Sequence, residues 1–540
     1  MARKKKQHRP GPHPPNTNVK SPAFEALARE AAIMCGLAAL AAAIRFFHLL
    51  RSALCQQDEV IYTQLGILFS RGQWSAYQGF YITYAPPFYP FLVSITERML
   101  GPSDLNGQIT SGVFGALGVV ATYLLGRVLF GVGVARGAAF LLALCNFHVI
   151  FSRLALTDVT FATLFTFSLW SFWRARLVSS LLWFALAGFL AGLAWVTKYN
   201  GFYLLLLFGF ATFCLEGKDV VRRKILSLRE RWRTWAGLAI ALATGEIVYL
   251  PLYFHIDRTF GYDKLMAHTR GYSRPLLDVV AHLPRTMLQS LDFCWLWAPA
   301  VLILGLAGLL LLLWKRSASG LFLWAWFVTF WLALQSYSPF TRLALPLLPV
   351  LAIAGGFAIN EICGLAKARF PRRGDLLSAG LLALAVVAVS APGLVDTLQA
   401  RTDGYRQAGV RLSELIKKTN CSIFSNASSV LNYYSPRILP LAKQPEYYGY
   451  YTQPGPRIFV SDERSTWNVP FLDFISANLD GRKPLFSIEN RRYPPIIFEP
   501  ANLKTLREMR RHPENFFHQL HISIYQIDGP FVIPDSWKQK

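Results

Sequence analysis

Apolar runs long enough to cross a bilayer recur along the first 395 residues, and the stretches between them are alternately acidic or aromatic and rich in Lys and Arg. A helix needs ~20 mostly apolar residues to cross hydrocarbon, and runs such as 301–314, 321–334 and 376–395 meet or approach that. With 53% hydrophobic and 14% aromatic residues in 540, the chain is too apolar for an ordinary water-soluble protein. It reads as a polytopic α-helical membrane protein. The formal net charge of +24 raises nucleic-acid binding as an alternative. The basic residues, however, sit in short loops between apolar runs, where Lys and Arg set orientation. Topology accounts for the charge, and no nucleic-acid partner is expected.

The loops carrying Arg127 and Arg136, Arg174 and Arg176, 218–233, Lys315-Arg316 and 367–373 all fall on one side under a single parity. That parity threads about eleven spans, with the first at 31–50. Residues 1–28 read as a basic, disordered cytoplasmic tail, and the first span as uncleaved. Residues 29–395 form the membrane domain, with outer loops at 51–106 and 255–294. The first of these is rich in aromatics and turn formers, suited to lying along the membrane surface. From 396 to 540 apolar runs give way to strand-like segments (421–424, 457–460, 495–498, 522–527) and helical ones (407–418, 501–511), an α/β domain outside the cytoplasm. Seven scattered cysteines without a CxxC pair indicate neither a disulfide framework nor a zinc site.

Three carboxylates stand out. Asp58 and Glu59 follow the first span, Asp158 opens the fourth, and the parity places all three on the outer side, opposite the basic loops. A carboxylate at the membrane edge is costly unless it serves something. The plainer reading makes each a helix cap; their arrival at one face raises the functional one. Arg153, Lys198 and Arg342 lie at outer span ends against the positive-inside trend, and cations there suit an anionic headgroup such as a lipid phosphate, with snorkelling or pairing to the same carboxylates as the alternative. Arg45, late in the first span, is expected to be drawn to the outer interface. The histidines near the outer side, His148, His255, His268 and His282, show no spacing that defines a metal site.

In order along the chain, Asp58-Glu59, the run Tyr84-Ala85-Pro86-Pro87-Phe88-Tyr89-Pro90, Ser152-Arg153-Leu154-Ala155-Leu156-Thr157-Asp158, 192–198 and Arg342-Leu343-Ala344-Leu345-Pro346-Leu347-Leu348-Pro349 resemble the GT-C glycosyltransferases. The nearest branch is the protein O-mannosyltransferase and lipid A aminoarabinose transferase group. The resemblance spans about residues 30 to 360 and rests on order and sidedness, since no single motif is specific. It implies transfer of a sugar from a polyprenyl-phosphate donor to a protein, lipid or glycan outside the cytoplasm, with inversion, in an inner (plasma) membrane. It implies Asp58 as the base or acceptor-orienting carboxylate, Glu59 as its partner, and Asp158 as the group positioning the acceptor or a divalent cation. Arg153, Lys198 and Arg342 would then hold the departing phosphate, and His268 would be a candidate metal ligand. The aminoarabinose branch carries an acidic-basic pair where this chain has Tyr84-Ala85, which departs from that substrate assignment and from a metal site using the missing acid.

Two other classes fit a polytopic chain. A lipid-linked saccharide carrier places polar residues near the bilayer midplane in broken helices, often in repeats; here the carboxylates gather at one face and no repeat is visible. A membrane anchor for an outer binding module would need none of Asp58, Asp158 and Lys198.

Overall fold

The structure, a computed structural model, describes residues 22–223, 232–275, 277–281, 298–337, 340–418, 421–462, 472–491 and 521–538. The apolar segments fold as helices: α1 (Pro22–Phe46), α5 (Asn106–Phe130), α6 (Val132–Ala143), α7 (Asn146–Ser152), α8 (Thr157–Val178), α9 (Leu181–Trp195), α10 (Tyr203–Arg223) and α11 (Trp232–Thr259), with α2, α3 and α4 given below. After the short α12 (Tyr262–Arg270) come α13 (Pro299–Lys315), α14 (Ala318–Gln335), α15 (Leu347–Arg369) and α16 (Gly374–Gln399). Among the described residues, seven helices are long and apolar enough to cross a membrane alone, or eight if α6 and α7 form one bent span; α9 and α13 are apolar but shorter. Large apolar side chains such as Leu182, Leu310 and Leu381 face outward, as they do where lipid is the solvent.

Close approach between helices depends on small residues. A Cβ on Gly188 of α9 would lie 2.1 Å from the Ala241 carbonyl oxygen of α11, and one on Gly308 of α13 would lie 1.8 Å from that of Ala354 in α15. Side chains of any size would force these pairs apart, the usual reason for small residues at helix contacts in membranes.

The chain bends by 61° between α6 and α7. Arg45 sits in that break, fully buried rather than at the interface that its place in the sequence suggested. Its guanidinium donates to the Ala41 carbonyl (2.9 Å) and to Ser152 Oγ (3.2 Å), and lies 2.7 Å from His148 Nδ1. A charge in the bundle persists only when such groups satisfy it.

The segment between α1 and α5, expected to be a loop, is a folded layer of short helices. It contains α2 (Gln57–Ser70), α3 (Phe80–Tyr84) and α4 (Phe88–Leu100), with Tyr62, Leu65, Phe69, Tyr89 and Val93 buried between them and the bundle. The turn formers that mark it as a loop are the breaks between these helices.

Beyond α16 come α17 (Gly404–Lys418), β1 (Ser422–Ser425), α18 (Ser428–Tyr434), β2 (Ile438–Pro440), β3 (Pro456–Asp462), β4 (Phe486–Glu489) and β5 (His521–Asp528). The sheet runs β2-β1-β3-β5-β4, parallel across the first three strands and antiparallel at β5 and β4. Three of the four expected strands appear; the segments at 495–498 and 501–511 lie outside the described residues.

Candidate functional site

Two helix starts, one helix end and the turn between α14 and α15 meet at one end of the bundle. Asp58 and Asp158 each lie in the first turn of a helix, α2 and α8, after an extended residue (Gln56, Leu156) that breaks the preceding chain. The helix N-terminus favours a carboxylate there. Lys198 is the extended residue following α9, and Arg342 lies in the short 3-10 turn Thr341–Ala344 ahead of α15. Arg342 Nη1 donates to Asp58 Oδ2 at 2.7 Å, and Lys198 Nζ donates to Asp158 Oδ1. Both members of the first pair are largely covered, with side-chain exposures of 20% and 17%.

The four charges act on one another. Burial lowers Lys198, and the neighbouring Arg342 charge adds to that, against the pull of Asp158 and Asp58. For Arg342 burial works in the same downward sense, but the charges of Asp58 and Asp158 outweigh it and raise it. Tyr62, one helical turn beyond Asp58, is held well above the usual phenol range by burial and then by the Asp58 charge, so it stays a neutral donor. The cluster is a balanced set of two cations and two anions in a poorly hydrated place.

Asp58, Lys198 and Arg342 line a cavity of about 560 Å³. Its aromatic walls include Tyr84 of α3, Tyr272 after α12, and Tyr337 and Phe340 after α14. Burial and the Asp58 charge push the Tyr84 hydroxyl up to about 12, and that hydroxyl accepts from Gln57 Nε2 at 2.7 Å. The wall is tied in place from several directions: His255 Nε2 lies 2.8 Å from the Tyr77 carbonyl oxygen, Phe88 N donates to Val196 O at 3.0 Å, and Arg274 N donates to Ser336 O at 3.0 Å.

The remaining candidates separate by where they point. Glu59 does not line the cavity. It is fully buried, accepts from Cys55 N (2.9 Å) and Cys55 Sγ (3.2 Å) through Oε2, and from Ala155 N (2.8 Å) through Oε1. It therefore pins the segment bearing Asp58 to the segment bearing Asp158. Arg153 is also fully buried and does not line the cavity; its Nη1 donates to the carbonyls of Arg45 (2.9 Å) and Phe47 (2.7 Å). This arrangement makes Arg153 a tie between α1 and the start of α8, in place of the phosphate contact expected from its sidedness. His268 lines the cavity, with its ring edge to Tyr272 at 5.3 Å between centroids. Among the described residues no three His, Cys, Asp or Glu side chains form a group able to hold a metal ion.

Tyr62, Gln57, Tyr84, Tyr272 and Tyr337 were not singled out as site residues from sequence. Tyr62 had a signal, the helical i, i+4 spacing from Asp58. Gln57 adjoins Asp58 in α2, whereas Tyr84, Tyr272 and Tyr337 come together through the packing of α3, α12 and the turn after α14.

Residues 84–249 match the family described as dolichyl-phosphate-mannose-protein mannosyltransferase. No curated protein sequence matches the chain. Among solved structures, ArnT from Cupriavidus metallidurans in the apo state is 15% identical, with a TM-score of 0.57 over 86% of this chain and 97% of that one. The same ArnT bound to undecaprenyl phosphate is 16% identical, with a TM-score of 0.53 over 82% and 94%. The oligosaccharyltransferase of Archaeoglobus fulgidus in the apo form is 15% identical, with a TM-score of 0.55 over 80% of this chain and 69% of that one. The chain shares the fold of these solved transferases, and its residues 84–249 are similar to the mannosyltransferase family. Its family match covers Asp158 and Lys198 but stops short of Asp58, His268 and Arg342, so the cavity is completed by segments on both sides of the matched region.

Proposed function

We propose that the enzyme transfers a sugar from a polyprenyl-phosphate donor to an acceptor outside the cytoplasm, with inversion at the anomeric carbon. The observation that supports this best is the Asp58–Arg342 pair, a carboxylate and a guanidinium in contact at the wall of a cavity large enough for a sugar phosphate. The donor class is suggested by the similar ArnT solved with undecaprenyl phosphate and by the matched family's dolichyl-phosphate-mannose description.

In the reaction the acceptor hydroxyl oxygen forms a bond to the anomeric carbon as the bond from that carbon to the phosphate oxygen breaks. The leaving electron pair goes to the polyprenyl phosphate, and the hydroxyl proton goes to Asp58. A carboxylate within hydrogen-bond reach serves as such a base. Arg342 and Lys198 hold the phosphate, and their charges matter most as negative charge grows on the leaving oxygen. Asp158 keeps Lys198 charged and aimed. Glu59 acts through the backbone, by holding Asp58 and Asp158 in register. The described residues do not fit a divalent cation: Asp58 is engaged by Arg342, and Tyr84-Ala85 offer no carboxylate beside His268. No step is routed through a metal.

We further assign the N-terminal tail (1–28) and the basic loops to the cytoplasm, residues 29–395 to the catalytic domain, and 396–540 to the outer side of an inner membrane. Sugar transfer from a panel of radiolabelled polyprenyl-phosphate sugars into native membranes tests the reading. Transfer by the wild type that disappears in folded Asp58→Asn supports it and names the sugar. Equal transfer by both removes Asp58 from the mechanism.

A further inference from the structure

The C-terminal domain does more than sit beside the site, because three of its residues hold the backbone that leads into Asp58. The segment 52–56, between α1 and α2, is buried throughout. A buried backbone group without a partner is costly, so the partners of this segment define what fixes it. Ser52 O accepts from Arg406 Nη2 at 2.8 Å. Ala53 N donates to Thr402 Oγ1 at 2.8 Å, and Ala53 O accepts from the same hydroxyl at 3.0 Å. Leu54 N donates to the Tyr434 hydroxyl at 2.9 Å. The membrane domain adds its own ties: Ser52 N donates to Leu49 O at 2.9 Å, Gln108 Nε2 donates to Ala53 O at 3.1 Å, and Cys55 N donates to Glu59, but Leu54 N is left to Tyr434.

The Tyr434 hydroxyl is itself oriented. It donates to Asp104 Oδ2 at 2.7 Å, and Arg406 donates to the same oxygen through Nε (3.0 Å) and Nη2 (2.7 Å). Burial, and then the Asp104 charge, hold the phenol far above its usual range, so it remains a donor to Asp104 and an acceptor for Leu54 N. The rings of Tyr433 and Tyr434 also cover Leu54, Val60 and Ala155, apolar residues drawn from the two segments that carry Asp58 and Asp158.

We propose that Tyr434, set by Asp104 and Arg406, is a positioning residue: it fixes segment 52–56 and thereby the angle at which Asp58 enters the cavity, coupling the C-terminal domain to catalysis. The coupling to catalysis rests on the transferase reading above, whereas the clamp itself does not. Tyr434→Phe keeps the ring and leaves Leu54 N buried without its acceptor, a loss of a size that corresponds to about tenfold.

The test uses full-length protein in lipid nanodiscs, with Tyr433→Phe as the neighbouring control and Asp104→Asn as a second variant of the clamp. Hydrogen exchange of peptides covering 52–58 and kinetics of sugar transfer are read side by side. Expected in Tyr434→Phe is about tenfold faster exchange in that segment and about a tenfold fall in kcat, with donor KM within about twofold. Tyr433→Phe should match the wild type in both. Unchanged exchange in Tyr434→Phe overturns the clamp. Faster exchange with unchanged kcat, or equal effects in Tyr433→Phe, overturns the positioning role. If Tyr434→Phe does not fold, Asp104→Asn is judged by the same outcomes. A wild type that transfers no sugar from any donor would sink the transferase reading alone, since exchange still decides the clamp.

Discussion

Among the described residues, the two ends of the helix bundle both carry buried or half-buried ion pairs, and they differ in what lies beside those pairs. At the basic end Arg176 Nη2 lies 2.6 Å from Glu216 Oε1, and Arg136 pairs with Glu30, whose other oxygen accepts from Tyr123. None of these residues lines the large cavity. At the opposite end the Asp58–Arg342 pair is of similar length, 2.7 Å, but stands in the cavity wall. An ion pair becomes functional when one partner can be exchanged for an incoming group of the same sign, and that requires open space beside it more than any difference in the pair itself. A pair with no cavity beside it ties helices together, whereas a pair in a cavity wall leaves room for such an exchange.

That contrast breaks or sharpens under mutation. The largest effect is expected for Asp58→Asn, which removes the proposed base: transfer should fall by about 10³-fold, in line with lost general-base catalysis, measured as initial rates in reconstituted membranes. Next, Lys198→Ala or Arg342→Ala should lower kcat/KM for the donor by about 10²-fold, in the range seen when a charge-stabilising donor is lost. By contrast, Glu216→Gln at the closed end should leave kcat per folded molecule unchanged and lower the melting temperature, since breaking a buried pair costs about 3 kcal/mol. Should Glu216→Gln abolish transfer without loss of fold, the distinction between the two ends fails.

The smallest expected effect is on pH dependence. Burial lowers the Lys198 ammonium, so Lys198 is charged below that lowered value and loses its charge, and with it the proposed hold on phosphate, as pH rises through it. Donor affinity should therefore weaken at alkaline pH sooner than for an ordinary lysine. In Lys198→Arg, whose guanidinium stays charged, the alkaline loss should move to higher pH. An unshifted profile would take Lys198 out of phosphate binding.

Much of the fold was legible because hydropathy and loop charge are one-dimensional signals. They marked each apolar segment and brought Asp58, Asp158, Lys198 and Arg342 to one side. Direction within that side was not legible. Asp58 and Glu59 are adjacent, and about 100° of helix rotation sends one carboxylate to the cavity and the other into the protein, where it fastens Ala155. Arg153 lies at the expected end but turns inward to backbone carbonyls, because α1 stops at Phe46 and leaves the Arg45 and Phe47 oxygens to be satisfied. The helices of 51–106 hid behind their own turn formers. Strands β2 and β4, of 3 and 4 residues, are too short to show an alternation. The contact between the C-terminal domain and segment 52–56 joins residues more than 300 positions apart, as in Leu54 to Tyr434, and no local pattern announces it.

The most direct measurement is the affinity of the folded protein for a polyprenyl phosphate, compared between wild type and Asp58→Asn. If Arg342 exchanges Asp58 for phosphate, removing the competing carboxylate should leave binding equal or tighter while sugar transfer is lost. Binding that weakens together with transfer in a well-folded Asp58→Asn would contradict the exchange and make the Asp58–Arg342 pair a structural one, like those at the other end.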